Sequence, residues 1–203
     1  MKKIMFNDAL RLTAAVLSGY KTMTRRVVSF SETDAAIFDS LTDAEREAMI
    51  PVVIDRYSLY QVGDEVAIAQ CYKDLGLPPD LRVSKRIRLK SGHHAHEFGP
   101  ISERPGWTNK MFVKASLMPH RIRITDIQMQ HLQDISSGDC LSEGIQMGLF
   151  ELRGPIPCYY FYGHKFKYTE ATRAFSVLIN MVSKKDLWKE NPWVFVYTFK
   201  LIK

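Results

Sequence analysis

Apolar positions change period several times along this 203-residue chain, and each change marks an element. Leu10, Ala14 and Leu17 recur at helical spacing, Asn7 can cap the start, and Gly19 suits the left-handed residue after the last turn. Arg26-Val27-Val28 can continue as a strand. Thr42-Asp43-Ala44-Glu45 is a capping box, and it predicts a short helix that stops before Pro51. Tyr57 to Tyr72 reads as a hairpin turning at Gly63-Asp64, with Val66 and Ile68 on one face. Ile122 and Ile124 alternate with Arg121 and Arg123, whereas Ile127 and Met129 follow out of phase. Such a one-residue slip near Thr125-Asp126 is what a β-bulge produces.

Further along, Ser136 and Asp139 bracket a helix start, and Gly144 marks its end. The clearest helix runs from Glu170 to Val182, where Ala171, Ala174, Phe175, Leu178, Met181 and Val182 form one apolar stripe and Thr169 can cap. Phe195, Tyr197, Phe199 and Leu201 alternate with Val196, Thr198 and Lys200, as in a half-buried terminal strand. No repeat, low-complexity tract or linker divides the chain, so a single domain over 1–203 is the economical reading.

Composition narrows the picture. At 46% hydrophobic the chain can bury one substantial core. A formal charge of +6 and a pI of about 9.2 favour polyanionic partners such as nucleic acid. Arg82, Lys85, Arg86 and Arg88 are interleaved with Val83, Ile87 and Leu89, either as a solvated basic face or as a phosphate-contacting arm that Lys110 and Lys114 extend. Three widely spaced cysteines, Cys71, Cys140 and Cys158, argue against a disulfide framework and a zinc ribbon, and for a reducing compartment. Met1-Lys2-Lys3 opens like a signal peptide, but Asn7, Asp8 and Arg11 interrupt any apolar region, and no apolar run approaches a membrane span. The expectation is a cytoplasmic protein with no membrane association and no obligate protein partner. No sequence motif calls for a cofactor.

Candidate chemistry concentrates at Gly19-Tyr20-Lys21-Thr22-Met23-Thr24-Arg25-Arg26, where an amine, two hydroxyls and two guanidiniums follow the end of a helix. Lys21 near that helix C-terminus is favoured in its charged form. The stretch could bind an anion or activate a hydroxyl; it could equally be a basic turn whose threonines satisfy backbone groups. Glu143 sits in the last turn of the other short helix, where the dipole disfavours a carboxylate and a nearby cation would offset the cost. Lys21 is the expected partner. Thr24 is a poor nucleophile unless a base takes its proton. Because strand side chains alternate, Lys21 and Thr24 can converge only if the backbone curls between them.

Other groupings carry less. His93, His94 and His96 lie in a Gly/Pro-bounded loop without a partnering carboxylate or thiolate set, so no metal site is expected. Cys140 could be a nucleophile beside Glu143 or a buried thiol. Trp107, Asn109 and the aromatic run Tyr159, Tyr160, Phe161, Tyr162, Phe166 and Tyr168 could stack on and hydrogen-bond a base, or pack inserted loops onto the body of the domain.

Gly19-x-Lys21-x-x-Thr24-x-Arg26 resembles the signature of ASCH domains, a branch of the PUA-like superfamily associated with RNA and modified nucleosides. Val62-Gly63-Asp64-Glu65-Val66 looks like the turn that opens a barrel strand in these domains. Met118 to Ile124, then Leu132-Gln133-Asp134-Ile135-Ser136 and Glu143-Gly144, resemble phage-type ASCH proteins, and Asn191 to Tyr197 looks like their closing strand. The resemblance implies a mainly β fold with added helices (α+β): a PUA-like β-pseudo-barrel with flanking helices and long inserted loops near 30–55, 73–105 and 145–168. Some small members are amidohydrolases that deacetylate acetylated cytidine; their catalytic positions correspond here to Lys21, Thr24 and Glu143, with Gly19 and Arg26 completing the motif. Others are nucleases or have no known activity, so membership does not fix the reaction.

Three readings follow. One is a module that binds RNA or a modified nucleoside; another is an amidohydrolase acting on an acylated nucleoside. The third is a phage-derived interaction protein whose pocket has lost chemistry.

Overall fold

The computed structural model describes residues 1–77, 105–151 and 155–202. Among them are seven strands and seven α-helices in a mixed α+β arrangement. The strands are β1 (Lys3–Ile4), β2 (Met23–Val27), β3 (Glu65–Ile68), β4 (Arg121–His131), β5 (Gln146–Glu151), β6 (Pro155–Tyr160) and β7 (Trp193–Ile202). The helices are α1 (Leu12–Leu17), α2 (Glu32–Ser40), α3 (Asp43–Tyr57), α4 (Tyr72–Leu75), α5 (Ser137–Ser142), α6 (Ala171–Ser183) and α7 (Leu187–Glu190). Five strands form a mixed sheet in the order β1-β3-β4-β7-β2, and β5 and β6 form a separate antiparallel hairpin. The described strands do not close into a barrel.

The chain divides into two compact units, the first formed by Met1–Phe6 and Glu65–Ile122, the second by Asn7–Asp64 and Arg123–Ile202. In the first, β1 pairs parallel with β3, and Ala67, Tyr72, Val113 and Met118 form a core against which Leu75, Trp107 and Ala115 pack. Lys3 ties this unit together: its ammonium donates to the carbonyls of Lys110 (3.1 Å), Met111 (2.5 Å) and Val113 (2.9 Å).

The second unit carries the antiparallel β2–β7 pair, with Met23 opposite Thr198 and Val27 opposite Val194. Val194, Phe195, Val196 and Tyr197 are all buried, so β7 is covered on both faces and not half-buried as alternation suggested. The change of phase in β4 is present: Ile122 and Ile124 are buried on one parity, Ile127 and Met129 on the other. In α6, Ala171, Ala174, Phe175 and Leu178 face inward, but Glu170 is the cap residue and Met181 is exposed.

Local expectations fail elsewhere for identifiable reasons. The capping box at Thr42 and Glu45 forms, yet α3 runs through Pro51 to Tyr57. The missing backbone donor is outweighed there by capping at one end and burial of Val53 towards the other. Residues 57–72 form no hairpin: Tyr57 ends a helix, and β3 instead takes β1 as a parallel neighbour. In α1 the buried residues are Leu12, Thr13 and Val16, while Ala14 is exposed. The helix starts after Asn7, whose side chain accepts from the N–H of Leu10 in the preceding turn.

Candidate functional site

Two short helices end against the beginning of β2, and the candidate site is made where they do. After α1, Gly19 adopts φ +80°, and the chain turns back so that the N–H of Lys21 donates to the carbonyl of Ala15 (3.0 Å). Thr22 donates its N–H to Ser142 at the end of α5 and accepts from the N–H of Phe199 in β7, both at 2.9 Å. Lys21 therefore stands just ahead of the β2 ladder, anchored to the helix end and not to a neighbouring strand.

Ser136 caps α5 by accepting from the N–H of Asp139, as its sequence signal predicts, and Glu143 closes the helix as its C-cap. Gly144 follows with φ +107°, where a Cβ would lie 3.5 Å from Leu12 and 3.8 Å from the Lys21 side chain. Only glycine takes this backbone turn without strain.

The structure brings Lys21 and Glu143 together. The Lys21 ammonium lies 2.5 Å from Glu143 Oε2 and donates to the Glu143 carbonyl at 2.8 Å. The other carboxylate oxygen, Oε1, accepts from Arg25 Nη1 at 3.2 Å, and Arg25 Nη2 donates to Asp139 at 2.9 Å. Lys21, Arg25 and Glu143 are all buried. Two cations thus face two carboxylates in a cluster with no net charge, and each carboxylate holds at least one cation. Burial lowers the Lys21 pKa from its ordinary 10.5; Glu143 opposes that shift, and the Arg26 and Arg25 charges add to it. The Arg25 Nε–H is buried without a partner, an unmet donor inside an otherwise satisfied group.

Arg25 and Asp139 are the members that sequence reasoning missed. For Asp139 a signal existed, since it stands four residues before Glu143 on the same short helix.

Thr24 is buried but stands on the other side of β2 from Arg25. The ladder runs without interruption from Met23 to Val27, and Thr24 pairs with Tyr197. Alternation therefore puts Thr24, Arg26 and Tyr197 on one face and Met23 and Arg25 on the other. The contact of Arg25 Nη1 with the Met23 sulfur (3.2 Å) fits this division. Lys21 precedes the ladder, so alternation assigns it to neither face, and its ammonium feels both Arg25 and Arg26. Arg26 is half-buried and Gly19 is exposed.

The remaining candidates are distributed differently. Trp107, in the first unit, packs on the core around Tyr72, and the exposed Asn109 caps a 3-10 turn by accepting from the N–H of Met111. Lys110 donates to the carbonyl of Phe6 (2.5 Å), and Lys114 is exposed. Arg82, Lys85, Arg86 and Arg88, like His93, His94 and His96, lie outside the described residues. Among the described residues no three His, Cys, Asp or Glu side chains are grouped to hold a metal. Cys140 is fully buried and its thiol is pushed up to about 12, chiefly by burial, which removes it as a nucleophile at neutral pH. A cavity of about 640 Å³ in the second unit is lined by Ile50, Pro51, Ile54, Asp55 and Met129 among others, and by none of the candidate site residues.

No helix among the described residues is long and apolar enough to cross a membrane. Comparison with protein families, with curated proteins and with solved structures finds no match to this chain.

Proposed function

We propose that this chain is an ASCH-type member of the PUA-like superfamily that recognises RNA or a modified nucleoside, and that Lys21, Thr24 and Glu143 hydrolyse an acylated nucleoside amide. The observation that carries the reading is the buried contact between Lys21 and Glu143, two positions of the resemblance that are 122 residues apart. A lysine whose amine is made easier to deprotonate by burial, beside a carboxylate that can take its proton, has the parts of a general base. Thr24 stands on the face of β2 opposite Arg25, so the reaction requires its hydroxyl to reach the Lys21 amine. Lys21 then accepts the hydroxyl proton as Thr24 Oγ1 bonds to the acyl carbon, or Thr24 positions a water that does so. The C–N bond breaks as Glu143 returns a proton to the leaving amine. Water cleaves the threonine ester, releasing the carboxylic acid and restoring the hydroxyl. Arg26, on the Thr24 face, anchors an anion or a ring carbonyl.

A second reading has its own support. All four charges of the cluster are compensated, as in a site that only shapes a binding surface, so a non-catalytic RNA-binding module or interaction protein is the alternative.

The test is hydrolysis of acetylated cytidine, followed by mass spectrometry, with wild type, Thr24→Val and Thr24→Ser. Val keeps the shape of Thr without the hydroxyl, so loss of turnover in Thr24→Val and its retention in Thr24→Ser establishes the nucleophile. No turnover in wild type removes the amidohydrolase reading and leaves the binding module.

A further inference from the structure

The aromatic segment after β6 has a use that the Lys21 site does not absorb. We infer that Arg11, Tyr162, Lys165, Phe166 and Lys167 form a docking strip for single-stranded RNA; the inference rests on the nucleoside-directed reading above and names the polymer that would present the nucleoside. Between Glu151 and Glu170 the chain has no acidic residue, while it carries Arg153, His164, Lys165 and Lys167. The Arg11 guanidinium lies over the Tyr162 ring, 3.8 Å from its centroid, and Tyr162 is half exposed. The Lys167 ammonium lies 5.4 Å from the centroid of Phe150 and 5.6 Å from that of Tyr160. Phe166, between the two lysines, is 68% exposed, and its ring centroid lies 5.5 Å from that of His164. Cations set among partly exposed rings match a strand whose charge lies on its backbone and whose bases stack on any π-face.

Two features hold the strip in place. His164 is stacked between Phe161, which is buried, and Tyr168, with centroids 5.0 and 5.8 Å away, so the segment has a rigid underside. Gly163 (φ +85°) lies so close to the 8–11 turn that a Cβ would come within 3.1 Å of Leu10 and 3.3 Å of the Ala9 carbonyl. Arg11 itself has φ +50°, a left-handed conformation that an arginine adopts mainly where its surroundings enforce it. That conformation belongs to the residue that opens α1 and whose side chain covers Tyr162. The six residues of α1 then span about 9 Å to the turn that carries Lys21.

The experiment is fluorescence anisotropy with a labelled, unstructured RNA of about 12 nucleotides and mixed sequence, titrated between about 50 and 200 mM salt. Wild type is compared with Phe166→Ala, Lys165→Ala/Lys167→Ala and Arg11→Ala, with Lys189→Ala as an exposed control and thermal melts to confirm folding. Removing one stacking platform weakens binding about tenfold in Phe166→Ala. The double lysine variant flattens the dependence of log K on log salt by about 1.4, at about 0.7 for each phosphate no longer neutralised. Equal weakening by Lys189→Ala, unchanged binding by the strip variants, or wild type that binds anionic phosphatidylserine vesicles but not RNA overturns the inference. Wild-type turnover of free acetylated cytidine is measured alongside. Turnover without RNA binding sinks the strip and keeps the nucleoside reading; RNA binding abolished in the strip variants, without turnover, keeps the strip and the binding module and removes only the amidohydrolase reading.

Discussion

Glu143 holds Lys21 on one carboxylate oxygen and Arg25 on the other, at 2.5 and 3.2 Å, with both cations buried. The carboxylate is therefore the hinge of the cluster's electrostatics. Removing it leaves two cations facing each other in a site that water barely enters. Glu143→Ala is expected to cost about 3–5 kcal/mol, the usual range for breaking a buried pair from one side. Lys21→Met should cost less, because Arg25 still partners Glu143. Urea denaturation of the two variants checks the ranking, and equal costs would show that Arg25 does not share the carboxylate's charge.

The pH dependence of stability has a definite sign. Lys21 is depressed below its unfolded pKa of 10.5, so in the window between the two values the unfolded chain binds more protons. Stability contributed through Lys21 therefore rises with pH across that window, as the cost of burying the charged amine disappears. Below the folded value it stays at its lower level. The difference in melting temperature between wild type and Lys21→Met, followed from about pH 7 up to the unfolded pKa of 10.5, isolates this effect from the tyrosines. A difference that is flat or falls with pH contradicts the assignment.

Local chemistry made half of this site readable in advance. The Ser136 cap, Gly144 after α5 and Gly19 after α1 each announce a helix end, because capping depends on residues within one turn. Which cation meets Glu143 was legible from the cost of a carboxylate at a helix C-terminus. Arg25 was not, because its role depends on the register of β2 against β7 and on Asp139, 114 residues away. The same limit explains the absent hairpin at 57–72: turn residues at Gly63-Asp64 fit several connections, and only the parallel partner β1 decides among them. Pro51 inside α3 follows the same logic, since burial further along the helix overrides a local breaker.

Thiol chemistry gives a simple check on burial. Cys71, Cys140 and Cys158 are free and buried, and burial raises the thiols of Cys71 and Cys140 above their ordinary value. At about pH 8 the native protein should take up no iodoacetamide on a timescale that saturates an exposed cysteine, while the urea-unfolded chain takes up three. Intact-mass spectrometry reads the count. Rapid native labelling at Cys140 would reopen its candidacy as a nucleophile beside Glu143.

Arg25 offers the sharpest test of how the cluster is coupled, because distance and burial point in opposite directions. Its contact with Asp139 is the shorter, 2.9 Å against 3.2 Å, but the Asp139 side chain is 32% exposed and that of Glu143 only 6%. Water screens the first pair and hardly reaches the second, so the longer contact should carry the larger coupling. Double-mutant cycles with Arg25→Met against Glu143→Gln and against Asp139→Asn measure both terms by denaturation. The Glu143 cycle should return about 1–3 kcal/mol and the Asp139 cycle below about 1 kcal/mol. A reversed order would mean that Asp139, by orienting the guanidinium, governs the geometry that Glu143 merely receives.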